Sequence, residues 1–320
     1  MSAPTFLFKE GLMDNIMRKS SMTKRQKKEA LTGWFFISPW LIGFVCLTGG
    51  PLLFSLYASF TDYNMTSKMN FIGVANYIKM FTKDQLFWKS LGNTLYYVAL
   101  AVPVSCVCAI FLASLLNRKV KGTSIFRMLF YLPTVLSGVA VYQLWIQLLS
   151  PKSGLLNSAL RLIGIEGPSW LADPAWTKPA LVMMRVWALG TSMLLYLSSM
   201  NSVPKELYEA ADIDGASFIQ KFRKITLPQI SPIIFFDIIT NMTGAFQVFQ
   251  EALVMSQKGK GDPAGSLLFY NLHIYDEAFT RYNMGYASAM AWFLLLIVLG
   301  ITLINLAASK YWVHTEEGET

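Results

Sequence analysis

The stretch SLGNTLYYVALAVPVSCVCAIFLASLLN, residues 90–117, contains no Asp, Glu, Lys or Arg. It exceeds the roughly 20 residues that a helix needs to cross a bilayer. Outward from it, comparable runs lie at 30–61, 128–151, 186–204, 230–256 and 282–309, and only the run at 230–256 carries charges, Asp237 and Glu251, near its two ends. Because a helix satisfies its own backbone polar groups where water is absent, the sequence predicts an all-α fold, a polytopic membrane bundle of six transmembrane helices.

Composition supports the membrane assignment. Hydrophobic residues make up 54% of the 320 residues, charged residues only 14%, and the mean hydropathy is +0.42. Soluble domains carry about 25% charged residues. The net charge of +8 does not indicate nucleic-acid binding, because the basic residues cluster at the ends of apolar runs, where membrane topology places them.

The distribution of basic residues predicts the orientation. With six spans both termini share one side, and the loops on the N-terminal side contain 16 Lys and Arg residues against 10 on the other. Lys and Arg residues are enriched in the cytoplasmic loops of membrane proteins, so both termini are predicted to be cytoplasmic. The predicted organisation is a cytoplasmic tail at 1–29, a six-span domain at 30–312 and a cytoplasmic tail at 313–320.

The loop at 201–229 is the longest predicted cytoplasmic connection between spans and has a helix-turn-helix pattern. Ser202 is a candidate cap and Pro204 suits the first turn of a helix at about 204–213. Gly215 follows, a residue type that permits the left-handed backbone at a helix end. A second amphipathic helix is predicted before the next span, with apolar residues at i, i+4 and i+7: Phe218, Phe222 and Ile225. An amphipathic loop lying on the membrane surface is the alternative interpretation.

The loop at 204–228 resembles the EAA coupling loop of permease subunits of binding-protein-dependent ABC importers. The resemblance rests on Glu209-Ala210-Ala211, on Gly215 after three intervening residues, and on Leu227-Pro228. Further stretches similar to the sugar-importing branch are Ser38-Pro39, the segment RMLFYLP at 127–133 and the segment GYASAMA at 285–291. In place of the Gly-Gly-Pro turn usual after the fifth span, this chain reads QKGKGDP at 257–263.

The resemblance implies a non-catalytic permease in a bacterial cytoplasmic membrane. Its partners would be a second homologous permease subunit, two ATPase subunits that bind ATP and Mg, and an extracellular solute-binding protein, with the surrounding lipid. The residues implied to couple the permease to an ATPase are Leu207, Tyr208, Glu209, Ala210, Ala211, Asp214 and Gly215. The chain has no Gly-x-x-x-x-Gly-Lys-Ser/Thr motif of its own, so ATP hydrolysis is assigned to a separate chain.

Polar and aromatic residues within the spans are candidates for a substrate path, because polar side chains at membrane depth usually face a bundle interior or a cavity. The candidates are Asn241, Gln247, Gln250, Glu251, Trp145, Trp187 and Tyr196. Gln247 and Glu251 would share one helix face at i, i+4. Helix-to-helix packing or interfacial anchoring is the alternative role for each candidate.

The remaining candidate sites are given structural roles. Arg185 is expected near the outer end of the fourth span, with its stem extended toward headgroups. His273 and His314 have no ligand partners at metal spacing, and Cys46, Cys106 and Cys108 are interpreted as small apolar residues, so neither a metal nor a cofactor is predicted for this chain.

The predicted function is import of a carbohydrate, with three alternatives. A permease for a non-sugar solute shares every feature above. A secondary transporter predicts inverted repeats with matching broken spans, a symmetry that the sequence does not show. A membrane enzyme needs catalytic His, Asp or Glu residues clustered at membrane depth, and both histidines lie outside the predicted spans.

Overall fold

Helices dominate the chain because its apolar runs must satisfy their backbone polar groups internally. The computed structural model describes residues 23–66, 68–117, 122–256 and 259–313. Within these ranges the β-structure is a single isolated bridge between Thr61 and Phe71. The all-α prediction is therefore confirmed.

The first of two units, Met1–Ser55, is described from residue 23 and consists of helix. Helix α1, Lys24–Gly43, continues through a π-helical turn, Phe44–Gly49, into α2, Gly50–Ser59, whose end belongs to the second unit. The span Lys27–Ser59 is apolar enough to cross a membrane. The predicted boundary between residues 29 and 30 falls inside α1, so the helix begins earlier than expected. Residues 1–22 of the predicted N-terminal tail and residues 314–320 of the predicted C-terminal tail lie outside the described residues.

The second unit, Leu56–Thr320, contains the remaining helices. They are α3 (Ala75–Thr82), α4 (Gln85–Leu116), α5 (Thr123–Val135), α6 (Gly138–Leu148), α7 (Leu155–Leu162), α8 (Thr177–Trp187), α9 (Gly190–Ser202), α10 (Lys205–Ile213), α11 (Phe218–Lys221), α12 (Leu227–Gln229), α13 (Ser231–Phe246), α14 (Gln250–Met255), α15 (Tyr270–Tyr275) and α16 (Met284–Ser309), with π-helical turns at Phe222–Thr226 and Asp276–Thr280.

Within the described residues, three helical stretches are long and apolar enough to span a membrane, and three further candidate spans are pairs of helices that meet at a bend. The three long stretches are Lys27–Ser59, α4 and α16. The bent pairs are α5 with α6 at 104°, α8 with α9 at 49°, and the segment Phe218–Gln229 with α13 at 67°. The chain reaches six spans only when each bent pair counts as one, so three of the predicted spans are broken rather than continuous. The fifth span is interrupted again at residues 247–249, between α13 and α14.

Two buried clusters hold the second unit together at opposite ends of α4. One surrounds the N-terminal half of α4 and packs residues such as Phe87 and Tyr97 against Phe269 and Tyr270 of the loop and helix that precede α16. The other surrounds the C-terminal half of α4 and includes Tyr196 of α9. Helix α4 is thus the central element against which α8, α9 and α13 pack.

Candidate functional site: a cavity at the helix breaks and the 204–228 loop

A cavity of about 500 Å³ lies where three helix breaks meet in the second unit. Leu136 lies in the break between α5 and α6, Ala188 and Leu189 in the break between α8 and α9, and Glu251 directly after the break between α13 and α14. Irregular backbone at membrane depth is tolerated only where protein covers it or where it lines a water-filled space. The breaks therefore belong to the cavity rather than to a lipid-facing surface.

Local sequence explains two of these breaks. Pro133 lies near the end of α5, and Leu136 then takes an extended backbone (φ −73°, ψ 148°) that no helix continues. Gly190 begins α9 directly against α5: a Cβ atom built on it would lie 2.5 Å from the Phe130 carbonyl oxygen and 2.6 Å from the Tyr131 Cα. Only glycine permits this approach, so Gly190 fixes where the fourth span bends.

The cavity wall contains a chain of hydrogen bonds between the fourth and fifth spans. Asp237 is buried, and its Oδ1 accepts a hydrogen bond from Ser192 at 2.7 Å while its Oδ2 accepts one from Tyr196 at 2.6 Å. Asn241, one turn further along α13, donates from Nδ2 to the Asp237 carbonyl at 3.0 Å and to Ser192 Oγ at 3.3 Å. Cys106 Sγ of α4 lies 3.3 Å from the Tyr196 hydroxyl, which connects the chain to the second span. Buried polar groups paired in this way fix the helices in one register.

Arg185 also lines this cavity, which corrects the expectation that it reaches toward headgroups. Its Nη2 donates to the carbonyl oxygen of Asn241 at 3.1 Å and to Asn241 Oδ1 at 2.8 Å. The charge-free run that predicted the fourth span begins at residue 186, whereas α8 begins at Thr177. Arg185 therefore lies inside the span, one turn from the bend.

Of the seven predicted path residues, Asn241 and Glu251 line the cavity. Gln247 follows the last residue of α13 and Gln250 begins α14, and both are exposed on the isolated chain. The prediction that Gln247 and Glu251 share one helix face is wrong, because residues 247–249 are not helical and separate the two.

The three predicted aromatic residues lie outside the cavity lining. Tyr196 is fully buried, and its hydroxyl is bonded to Asp237. Trp145 and Trp187 pack edge to face with their ring centroids 5.9 Å apart. Trp145 is buried and Trp187 is partly exposed, so this pair joins α6 to α8 by packing.

Sequence reasoning missed several polar residues of the cavity wall, among them these four: Tyr97, Tyr142, Thr191 and Ser192. Electrostatic interactions reach from Glu251 to the hydroxyls of Tyr97 and Tyr142. Each of the four looks in sequence like an ordinary residue of an apolar helix. Pro133 and Gly138 were the signal that could have been used, because they mark a break in the third span. A break at membrane depth must face protein or a cavity, which predicts that the nearby Tyr142 faces inward.

The 204–228 loop is a rigid helical hairpin. Gly215 has a φ of +69° and ends α10 in a Schellman motif: its N–H donates to the Asp212 carbonyl at 3.1 Å, and the Ala216 N–H donates to the Ala211 carbonyl at 2.9 Å. Ser217 then caps the second helix in a reciprocal capping box with Gln220. The expected cap at Ser202 is wrong, because its hydroxyl donates back to carbonyls within α9.

Two side-chain contacts join α10 to the second half of the hairpin. Lys221 Nζ lies 2.6 Å from Asp212 Oδ1, and the Tyr208 and Thr226 hydroxyls lie 2.9 Å apart. Tyr208 also packs on the buried cluster around the C-terminal half of α4.

Most of the predicted coupling residues are exposed on the hairpin, and two are half-buried. Those exposed are Leu207, Glu209, Ala210, Asp214 and Gly215, while Tyr208 and Ala211 are half-buried. The side chain of Ile213 is 88% exposed, although it is apolar. The hairpin thus presents small and apolar groups outward from a rigid frame.

A second polar cluster lies at the opposite end of α4 and corrects the statement that His273 has no partners at metal spacing. Asp84, His273 and Glu277 each place one ligand atom within 4.8 Å of the others. The carboxylates already accept protein donors: Asp84 Oδ2 lies 2.8 Å from His273 Nε2 and accepts from the Tyr286 hydroxyl at 2.6 Å, and Glu277 accepts from Arg281 at 2.9 Å. These hydrogen bonds join Asp84, at the start of α4, to His273 of α15 and Tyr286 of α16.

Asp84 also caps α4, accepting hydrogen bonds from the backbone N–H groups of Leu86 and Phe87. Burial by itself raises the pKa of the Asp84 carboxyl, but the donors Tyr286 and His273, together with the Phe87 N–H, outweigh burial and hold this pKa below its ordinary value.

Comparison with known proteins agrees with this architecture. Residues 101–311 match the family model of the binding-protein-dependent transport system inner membrane component. The probable ABC transporter permease protein YesP of Bacillus subtilis is 42% identical over 92% of this chain and 95% of its own length. The lactose transport system permease protein LacF of Rhizobium radiobacter is 31% identical over 92% of this chain and 99% of its own.

A solved structure shows the same fold. The crystal structure of a bacterial alginate ABC transporter, in complex with an alginate pentasaccharide-bound periplasmic protein, contains a chain with a TM-score of 0.78, 24% sequence identity, and coverage of 88% of this chain and 95% of that one. With the multi-pass helix bundle, the broken spans around a polar cavity and the helical hairpin already described, these matches show that the chain belongs to the family of inner membrane permease components of binding-protein-dependent ABC transporters.

Proposed function

We propose that this permease imports a carbohydrate and forms half of the translocation path, with a second homologous permease subunit forming the other half. Relatives along nearly the whole chain are named as permeases for lactose and for arabinooligosaccharides, at 31% identity each, which supports a carbohydrate cargo. The chain lies in a bacterial cytoplasmic membrane with both termini in the cytoplasm, where the excess of basic loop residues favours them.

The observation that carries the proposal is the composition of the cavity. An amide, a guanidinium, hydroxyls and two carboxylates line a space of about 500 Å³ at membrane depth. Asn241 and Glu251 offer donor and acceptor groups, and Tyr97 and Tyr142 add phenols that can both donate and accept. A sugar exposes many hydroxyl groups and leaves the hydration shell only when the path replaces those hydrogen bonds, because an unpaired polar group is costly.

Gln247 and Gln250 belong to the part of the path that the second permease subunit completes. Both are exposed beside the break in the fifth span, next to Glu251. In the assembled pair their amides meet substrate after it leaves the extracellular binding protein. Trp145 and Trp187 support this region by holding α6 against α8.

The 204–228 hairpin receives the force that drives transport. Separate ATPase subunits, which bind ATP and Mg, seat on its exposed residues and in the recess of about 320 Å³ beside Gly215. The hairpin packs on the cluster of α4 and α9 and leads through Leu227–Gln229 into α13. Closure of the ATPases therefore displaces the two spans that carry the Ser192–Asp237 hydrogen bond, and the path changes from inward-facing to outward-facing.

Gly215→Pro and Ala211→Trp test the coupling role. The first removes a Schellman N–H and a left-handed residue, and the second places a large ring where α10 presents a small residue. Both are expected to abolish ATP-driven uptake in proteoliposomes of the assembled importer without preventing membrane insertion. Uptake at the wild-type rate in either variant would refute the coupling role.

Gly164→Pro is a matched control. Gly164 has a φ of +79° and ends α7 with the same pair of hydrogen bonds, from its own N–H to the Arg161 carbonyl and from the Ile165 N–H to the Leu160 carbonyl. Its substitution likewise removes a left-handed glycine and an N–H donor, but at the end of α7, which packs against α6. We expect ATP-driven uptake to persist in this variant.

Asn241→Ala and Glu251→Ala test the path. Removing a hydrogen bond to a charged group costs about 1.5–3 kcal/mol, so Glu251→Ala is expected to reduce uptake roughly tenfold to hundredfold, and Asn241→Ala to reduce it less. Thr302→Ala is the control, because the Thr302 hydroxyl donates within α16 to the Val298 carbonyl and lies outside the cavity. Unchanged kinetics in the double variant would remove both residues from the path.

A further inference from the structure

The loop between the third and fourth spans contains α7, and one face of this helix is apolar and exposed. Leu155, Ala159 and Leu162 follow one another at i, i+4 and i+7 and therefore share one side of the helix. Leu155 is 70% exposed and Leu162 is 88% exposed, and Ile163, directly after the helix, is 70% exposed. Large aliphatic side chains grouped in this way mark a contact with another protein or with a membrane.

The opposite face of α7 is fixed to the rest of the second unit. Leu156 packs on the buried cluster around the N-terminal half of α4. Asn157 is buried, and its Nδ2 donates to the carbonyl oxygens of Pro151 and Pro168 at 3.1 Å each. The Asn157 Oδ1 accepts a hydrogen bond from Trp170 Nε1 at 2.7 Å. The exposed apolar face is therefore held in one orientation.

The connection to the third span fixes the level of α7 relative to the membrane. The third span ends with α6 at Leu148, and α7 begins after six further residues, 149–154. Gly154 lies against the end of α6, because a Cβ atom built on it would be 2.4 Å from the Leu148 carbonyl oxygen. Arg161 Nη2 donates back to the carbonyl oxygens of Pro151 and Lys152 at 3.0 Å and 2.9 Å. Helix α7 is thus held where the third span leaves the hydrocarbon core.

An aromatic pair marks the same level at the start of the fourth span. Trp170 and Trp176 pack edge to face with their ring centroids 5.2 Å apart, and Trp176, directly before α8, is partly exposed. Tryptophan is enriched at the boundary between hydrocarbon and water. The charge of α7 also suits this region: its one charged residue is Arg161, so no acidic side chain of the helix repels anionic headgroups.

We propose that α7 is an interfacial anchor, which lies along the membrane surface and inserts Leu155, Leu162 and Ile163 among the acyl chains of phospholipids. An amphipathic helix of this kind buries its apolar face at the boundary between headgroups and acyl chains. Lipid surrounds the permease throughout the transport cycle, whereas a binding protein that docks and leaves would expose these side chains to water in every cycle. This inference does not depend on the identity of the cargo.

The anchor has a consequence for the third span. Helix α7 is fixed to the end of α6 at Leu148, and the other end of α6, at Gly138, lines the cavity. The lipid contact therefore holds the outer end of this half-span at the membrane surface, next to the path.

The test places the photocrosslinker p-benzoylphenylalanine at Leu162 in the assembled importer, in vesicles of phosphatidylethanolamine and phosphatidylglycerol, with and without the binding protein. After irradiation, mass spectrometry of the intact permease identifies its adducts with phospholipid or with protein. The matched control carries the same photocrosslinker at Lys152, an exposed residue of the same loop. We expect at least about tenfold more lipid adduct at Leu162 than at Lys152, because burial of a leucine-sized apolar group is favoured by roughly that factor or more. The binding protein is expected to leave this ratio unchanged.

Other outcomes overturn the anchor. An adduct with the second permease subunit or with the binding protein in place of lipid assigns the face to that protein. Equal lipid adduct at the two positions, or no adduct at Leu162, shows that the face is not inserted among acyl chains. ATP hydrolysis by the complex at the wild-type rate verifies that each variant has assembled, and Leu155, on the same helix face, provides a second position for the photocrosslinker with the same expected result.

Discussion

Gly190→Ala isolates the packing that bends the fourth span. The substitution adds one methyl group where α9 meets α5, and the built Cβ lies 2.5 Å from the Phe130 carbonyl oxygen and 2.6 Å from the Tyr131 Cα. Ordinary contacts between such atoms lie at about 3.5–4.0 Å, so the overlap is roughly 1 Å. Both contacted atoms are backbone and cannot rotate away, so the two helices must separate.

The magnitude follows from this overlap. Adding a methylene-sized group to a packed interior costs about 1–3 kcal/mol, and rigid backbone neighbours place Gly190→Ala at the upper end. At roughly 2–4 °C per kcal/mol for a chain of this size, the apparent melting temperature is expected to fall by about 6–12 °C. Because α5 and α9 both line the cavity, uptake is expected to fall as well.

Gly300→Ala is the control for this prediction. Gly300 also lies within a spanning helix, but a Cβ built on it meets nothing within 4 Å. Alanine is the better helix former, so its effect on the melting temperature is expected to be neutral or slightly positive. The assay is thermal unfolding of the purified importer in detergent, followed by the fraction that stays monodisperse. Equal melting temperatures for Gly190→Ala and Gly300→Ala would refute the close-approach reasoning.

Three further predictions concern hydrogen bonds. Asp84→Asn removes the carboxylate charge that the Tyr286 hydroxyl and the α4 N–H groups stabilise. Because the pKa of Asp84 is lower in the folded than in the unfolded chain, the ionised carboxylate stabilises the fold above about pH 4, and this contribution is lost as the pH falls below that value. The variant should melt several degrees lower at pH 7 with a weaker dependence on acid, and an unchanged acid profile would contradict this. Tyr196→Phe leaves one Asp237 oxygen without its donor and should destabilise the importer by about 1–3 kcal/mol, measured by thermal unfolding; a wild-type melting temperature would show that Asp237 finds another partner. Ser217→Ala breaks the capping box at a cost of about 1 kcal/mol and should speed amide exchange at residues 218–226, while Ser217→Thr, which keeps the hydroxyl, should restore protection.

The 204–228 hairpin was predictable because its signals are local. Pro204, the acidic first turn and Gly215 mark a short helix and its end, and the structure places that helix at Lys205–Ile213. Such turn chemistry acts over a few residues and needs no partner. The clamp between Asp212 and Lys221 was not predictable, because it depends on the angle at which the two helices meet.

The cavity was predictable only in part. Asn241 and Glu251 stood out because polar residues are rare in apolar runs. Arg185 was expected within the fourth span but with its stem turned toward headgroups, as is usual for long charged side chains near the end of a span. Helix packing turns it into the cavity instead. Tyr97 and Tyr142 gave no signal at all, since phenols occur throughout membrane helices and at their ends.

The amino-acid sequence by itself determined that the chain crosses the membrane about six times as helices, and that one connecting loop is a bent helical pair. Both follow from short-range physics: the length of apolar runs and the backbone preferences of proline and glycine. Tertiary structure alone decided that the helix breaks meet around Arg185, Asp237 and Glu251, and that Asp84 and His273 pair across 189 residues. Such sites are formed by residues far apart in the chain, and helix packing brings them together.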